Sequence, residues 1–156
     1  MRVALYEPDI PQNTGTIMRM AACLGVAVDL IEPCGFVMDD RRFRRAGMDY
    51  LDMLEMERHS SWSVFEDARA RAVAGRLVLL TTRAEIPYTR FRFLPRDTLL
   101  VGSESSGVPE AVHAVADARV IVPMTPGSRS LNVAVAAAMV LGEALRQTGG
   151  LESAAP

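Results

Sequence analysis

Five short, mainly apolar runs limit what this chain can fold into: Val3–Tyr6, Ala27–Ile31, Leu77–Thr81, Thr98–Gly102 and Arg119–Pro123. Each is too short for a buried helix and suits a strand covered on both faces. Helix-patterned stretches lie between most of them. Asn13 or Thr14 can cap a helix to about Leu24, with Ile17, Met20, Ala21 and Leu24 on one apolar stripe and Arg19 off it. Ser60 or Ser61 can cap another to about Ala74, with Trp62, Phe65, Ala68 and Ala72 on one face. Pro109 suits the first position of a third, and a last helix runs from Ser130 to about Gln147. Asp39 or Asp40 can open a short helix carrying Arg41, Arg42, Arg44 and Arg45. Residues 50–56 fit strand and helix equally. The alternation predicts an α/β fold: a mainly parallel sheet with helices on both faces.

At 156 residues the chain suits one domain over 1–148, with 149–156 as a flexible tail. A hydrophobic fraction of 49% excludes a disordered chain, and a net charge of −2 argues against non-specific nucleic-acid binding. All 17 cationic residues are Arg. Cys23 and Cys34 form no C-x-x-C pair, and His59 and His113 stand far apart, so no metal site is expected. Cys23 falls in an apolar helical pattern and reads as a core residue. The start is too short for a signal peptide, and the longest apolar run, Val133–Gly142, cannot span a bilayer. A reduced, cytoplasmic protein is expected. Because that run is apolar all round, the last helix is either central in the monomer or packed on a second subunit; a homodimer is favoured.

Three polar, glycine-containing loops carry the chemistry. They are residues 13–19, Val101-Gly-Ser-Glu-Ser-Ser-Gly-Val-Pro109, and Pro126-Gly-Ser-Arg-Ser-Leu-Asn132. The last two follow strands, where open α/β sheets bind ligands. The dinucleotide, P-loop, zincin and nucleophile-elbow patterns are all missing. Turn chemistry explains any one such loop; three together point to a site.

These residues resemble the three motifs of the SPOUT class of RNA methyltransferases. They are Asn13-x-Gly15-x-x-x-Arg19, Gly102-x-Glu104-x-x-Gly107-x-Pro109, and Val122-Pro123-Met124 through Arg129-Ser130-Leu131-Asn132. Leu5-Tyr-Glu-Pro8, Ile31-Glu-Pro33, Gly35-Phe36, Arg44-Arg-Ala-Gly47 and Asp49-Tyr50 are similar to its TrmL-like branch of small tRNA 2′-O-methyltransferases, which act at the wobble nucleotide. The resemblance spans residues 3–147. It implies a C-terminal trefoil knot, a dimer with its site across the interface, tRNA as substrate and S-adenosylmethionine as cofactor. Leu80, Gly102, Val122, Ser130 and Leu131 are then expected to bind the cofactor. Arg19, Asn13 and Glu104 are expected to serve catalysis, and Arg41, Arg42, Arg44, Arg45, Arg129 and Asn132 to meet the RNA. Ser130 and Asn132 are also expected to fix the last loop and cap the final helix. Val133-Ala134-Val135 departs from the branch, which often carries Ser and Asn there. The same chemistry on another tRNA or rRNA site, or a non-catalytic RNA-binding dimer, are the competing expectations.

Overall fold

A computed structural model describes residues 1–37 and 49–152. The strands are β1 (Arg2–Tyr6), β2 (Ala27–Ile31), β3 (Met56–His59), β4 (Leu77–Leu80), β5 (Thr98–Val101) and β6 (Ala118–Val120). The helices are α1 (Pro11–Cys23), α2 (Trp62–Arg71), α3 (Glu110–Val115) and α4 (Val133–Thr148). Single 3₁₀ turns occupy Asp49–Met53 and Tyr88–Arg90. The sheet has the order β3-β2-β1-β5-β4-β6, and every pairing is parallel.

Alternate residues of each strand feed two hydrophobic layers, as period-2 geometry demands. Val3, Leu5, Val28, Leu30, Val78, Leu99 and Val101 face α1 and α4, meeting Ile17, Met18, Ala21, Ala137, Val140 and Leu141. Ala4, Tyr6, Leu77, Leu79 and Leu100 face the other way, against Phe65 of α2 and Val112 of α3. Both faces are covered, as the continuous apolar runs require.

Several boundaries differ from the sequence reading. Helix α1 starts at Pro11, with Pro in the first turn and Ile10 as cap, so Asn13 is free to point elsewhere. A proline at that position sacrifices no hydrogen bond. Cys23 is exposed, because the buried stripe of α1 runs through Ile17, Met18, Ala21 and Ala22 instead. Residues 50–56 divide between a 3₁₀ turn and the approach to β3, an edge strand whose mixed residues hide its pattern. Ser61 does cap α2 through Val64 N–H, but the helix stops at Arg71, and Ala72 is exposed. Pro109 is the cap of α3, one residue before its first turn. Helix α4 begins at Val133 with Asn132, not Ser130, as its cap. One face of α4 is buried, while Val135 and Met139 on the other stay 51% and 40% exposed. Gly149, at φ 73°, ends α4 in the left-handed conformation, and Gly150 N–H bonds back to Leu145 O. Among the described residues no helix is long and apolar enough to cross a membrane.

The connections decide where a ligand can sit. From β1 the chain crosses to β2 on one side; from β5 it crosses past β4 to β6 on the other. Adjacent strands whose outgoing connections diverge leave a crevice at their carboxyl ends.

Candidate active site

At this carboxyl end of the sheet lies a cavity of about 510 Å³. Its walls come from the ends of β4 and β5 and from the segments after β1 and β6. Asn13, Leu80, Gly102, Glu104, Val122, Ser130, Leu131 and Asn132 all line it. Eight of the residues expected from sequence are therefore brought together here.

Backbone approach dictates the 102–107 loop. Ser103 and Gly107 form a small antiparallel bridge, N–H to O at 3.1 and 2.9 Å in the two directions. Gly107 closes it at φ +67°, and a Cβ on Gly102 would lie 2.5 Å from the Gly107 carbonyl carbon. Only glycine fits position 102 while the turn keeps this shape. Ser103 Oγ and Ser106 Oγ bond each other at 2.8 Å, so these serines serve the turn.

Residues 13–19, expected as a loop, lie within α1, and polar side chains link that helix to the other two loops. Asn132 Nδ2 donates to Asn13 Oδ1 at 2.8 Å, and Asn13 Nδ2 donates to Glu104 Oε1 at 2.8 Å. Asn132 Oδ1 accepts the N–H groups of Ala134 and Val135, which starts α4. Asp9 accepts the N–H groups of Glu104 and Ser105, at 2.9 and 3.2 Å. Sequence reasoning missed Asp9, since an aspartate in a proline-bracketed loop looks like ordinary turn chemistry. His113 was missed as well: it is buried on α3 and lines the cavity, and burial, then Arg83, lowers its pKa, leaving it neutral near pH 7. Arg83, also on the wall, is paired with Glu110 at 2.8 Å.

Two expected residues are not on this wall. Arg19 is exposed and lies over the Tyr50 ring, 4.9 Å from its centroid, a cation–π contact. Arg129 is exposed too. Arg41, Arg42, Arg44 and Arg45 fall outside the described residues.

Folding also gathers Asp29, Glu57 and His59, whose ligand atoms lie within 4.8 Å of one another, a grouping that sequence spacing did not suggest. Asp29 is already served by a cation. Arg2 donates to both its oxygens, at 2.7 and 2.9 Å, and His59 Nε2 lies 3.0 Å from Oδ1. Buried at Asp29 and His59 and exposed at Glu57, this cluster joins β1, β2 and β3 and reads as structural.

Comparison with known proteins agrees with this geometry. A relative from Beijerinckia indica, named tRNA (cytidine(34)-2'-O)-methyltransferase, is 63% identical over 149 residues, covering 96% of this chain and 92% of its own. A solved structure described as "Structural insights into the 2-OH methylation of C/U34 on tRNA" superposes with a TM-score of 0.85 at 39% identity, covering 94% of both chains. The SpoU methyltransferase AviRb from Streptomyces viridochromogenes, solved in complex with AdoMet, gives 0.81 at 31% identity, covering 94% of this chain and 57% of its own. The model of the SpoU rRNA Methylase family matches residues 1–142, and the chain belongs to that family.

Proposed function

We propose that this protein transfers a methyl group from S-adenosylmethionine to the ribose 2′-oxygen of the wobble nucleotide of tRNA, position 34, a cytidine or modified uridine. The observation that carries this reading is the single cavity reached by all three sequence motifs, in a chain so similar to a tRNA (cytidine(34)-2'-O)-methyltransferase. Residues 1–148 are taken as one catalytic domain, acting in the cytoplasm where its substrate is.

The residues present fit this cofactor. The cavity volume lies within the usual small-molecule range, roughly 300–1,000 Å³. Leu80, Val122 and Leu131 would hold the cofactor through apolar surface, and Gly102 and Ser130 through their peptide groups. The bound cofactor supplies an electrophilic methyl carbon.

Arg19 is assigned to the attacking ribose. A guanidinium keeps its protons at neutral pH, so it acts by holding the ribose–phosphate and easing negative charge on the oxygen. Asn13 and Glu104 hold the nearby loops in register for that attack. Since Arg19 does not line the cavity of its own chain, it is taken to serve a partner's. The exposed apolar Val135 and Met139 on α4 support a homodimer that buries them. Arg129, Asn132 and the Arg41–Arg45 group are assigned to RNA contacts.

The trefoil knot belongs to the same reading. It has the segment between β6 and α4 threaded through the connection between β4 and β5. Ile121 bonds to both Ile86 and Tyr88 of that connection, and Gln147 of α4 grips Phe91 O and Phe93 N–H, which fits such a path.

The test is methyl incorporation from labelled S-adenosylmethionine into tRNA, with the modified ribose mapped. Transfer at position 34 is expected. Methylation elsewhere would redirect the substrate assignment, and cofactor-independent RNA binding would favour a binding module. Arg19→Ala should abolish transfer while cofactor affinity stays nearly intact; normal turnover would refute its role.

A further inference from the structure

The polar links among the loops have a fixed direction. Asn132 Oδ1 is committed to the first N–H groups of α4, so its Nδ2 must donate, and it donates to Asn13 Oδ1. That commits Asn13 Nδ2 to donate onward to Glu104 Oε1. Glu104 Oε2 is buried and receives no donor. The other carboxyl group at this end is Asp9, which already accepts two peptide N–H groups from the 102–107 loop. Two adjacent carboxylates, one with a buried bare oxygen, are satisfied by one proton held between them. Burial, then Asp9, holds the Glu104 carboxyl above its usual range; the bond from Glu104, with help from Ser105 and the peptide donors, holds Asp9 below its own.

A neighbouring loop locks Asp9 in place. Gly35 N–H bonds to Pro8 O at 2.9 Å, and a Cβ on Gly35 would lie 2.8 Å from Asp9 Cβ and 2.9 Å from its Cα. No side chain fits at position 35 unless Asp9 moves.

We propose that Asp9 is a positioning residue for methyl transfer: it ends a one-way chain of hydrogen bonds running from α4 through Asn132, Asn13 and Glu104, and shares one proton with Glu104. This rests on the methyltransferase reading above. Its consequence is electrostatic. The site carries one negative charge where two carboxyl groups stand. A second anion beside a sulfonium stabilises the charged donor more than the transition state, in which that charge is being lost, and so slows transfer. The other charged or titratable groups lining the cavity are Arg83, held by Glu110, and the neutral His113. Among the described residues neither Asp9 nor Glu104 has an ion-pair partner.

The experiment combines a carboxyl-carbon NMR titration of the free protein with steady-state kinetics over pH, for wild type, Asp9→Asn and Gly35→Ala. In wild type, Glu104 should titrate above the ordinary glutamate range, and kcat should fall as pH rises through that ionisation. In Asp9→Asn the anionic neighbour is gone. Glu104 should titrate lower, the falling limb should be lost because its ionisation no longer makes a second anion, and the loss of positioning should lower kcat about tenfold with KM nearly unchanged. Gly35→Ala keeps every charge and displaces Asp9, so it should shift the same titration; it also decides the matter if Asp9→Asn fails to fold. A wild-type Glu104 that titrates normally, or a titration and pH limb unmoved in the folded variants, would overturn the proposal. If wild type transfers no methyl group to tRNA, the functional reading fails, while the titration still decides whether the pair shares a proton.

Discussion

Asn132 does two jobs with opposite ends of one amide, and two substitutions separate them. Its Oδ1 caps α4 by accepting from Ala134 N–H at 2.9 Å and Val135 N–H at 3.2 Å; its Nδ2 holds Asn13. Asn132→Ala removes both. Losing the cap costs about 1 kcal/mol, and losing an exposed side-chain bond costs roughly 0.5 kcal/mol more. At roughly 2–4 °C per kcal/mol for a domain of this size, Tm should fall by about 3–6 °C. Asn132→Asp keeps the acceptor and adds a negative charge at the helix start, worth about 0.3–1 kcal/mol in favour. Its Tm should stay within about 2 °C of wild type. The donor to Asn13 is lost all the same. Asn13 can answer only by turning its amide over, which breaks its bond to Glu104. Methyl transfer should then fall by about tenfold, equivalent to roughly 1.4 kcal/mol. Thermal melts and initial rates on the same samples check both halves. An Asn132→Asp protein that melts as early as Asn132→Ala would disprove the capping account. One that melts normally and turns over at the wild-type rate would disprove the role given to the Asn13 link.

Three further expectations follow from separate parts of the fold. Gly102→Ala places a Cβ against the Gly107 backbone at 2.5–2.8 Å, with no flexible side chain to yield, so the cavity wall must shift. Calorimetry should show cofactor affinity down by about ten- to a hundredfold, given a strain of roughly 1–3 kcal/mol; unchanged affinity would refute the close-approach argument. Glu143, bonded by Arg146 and then Gln147, has its pKa lowered from 4.5 to about 2. A depressed folded-state pKa gives stability that is present above the unfolded value and lost as pH falls. The melting difference between wild type and Glu143→Gln should therefore shrink from pH 4.5 towards 2, and a pH-independent difference would contradict this. Met139→Arg places a charge on the exposed apolar face of α4. Sedimentation should show a monomer with little transfer activity, whereas a dimer of normal activity would remove α4 from the interface.

Much of the scaffold is legible because burial leaves a local signature. The apolar runs at Val3–Tyr6, Ala27–Ile31 and Leu77–Leu80 are strands because both of their faces are covered, and neighbouring residues carry that pattern directly. Edge strand β3 escapes because Met-Glu-Arg-His is half exposed and alternates weakly. The site loops are legible through Gly102, Gly107 and their serines, whose backbone demands are local. Helix ends are less so: Pro11 and Asn132 outcompete Asn13 and Ser130 as start signals only once the loops are packed.

The sequence by itself determined the parallel sheet, the helices on both faces and two of the loops that become cavity walls, since periodicity and turn chemistry act over a few residues. Only the tertiary structure decided which side chains share a proton, a ring or an amide. Asp9 meets Glu104 across 95 residues, Asn13 meets Asn132 across 119, and Arg19 finds Tyr50 outside its own cavity. Such meetings depend on the order in which strands are laid side by side, and that order is set by the packing of the whole sheet.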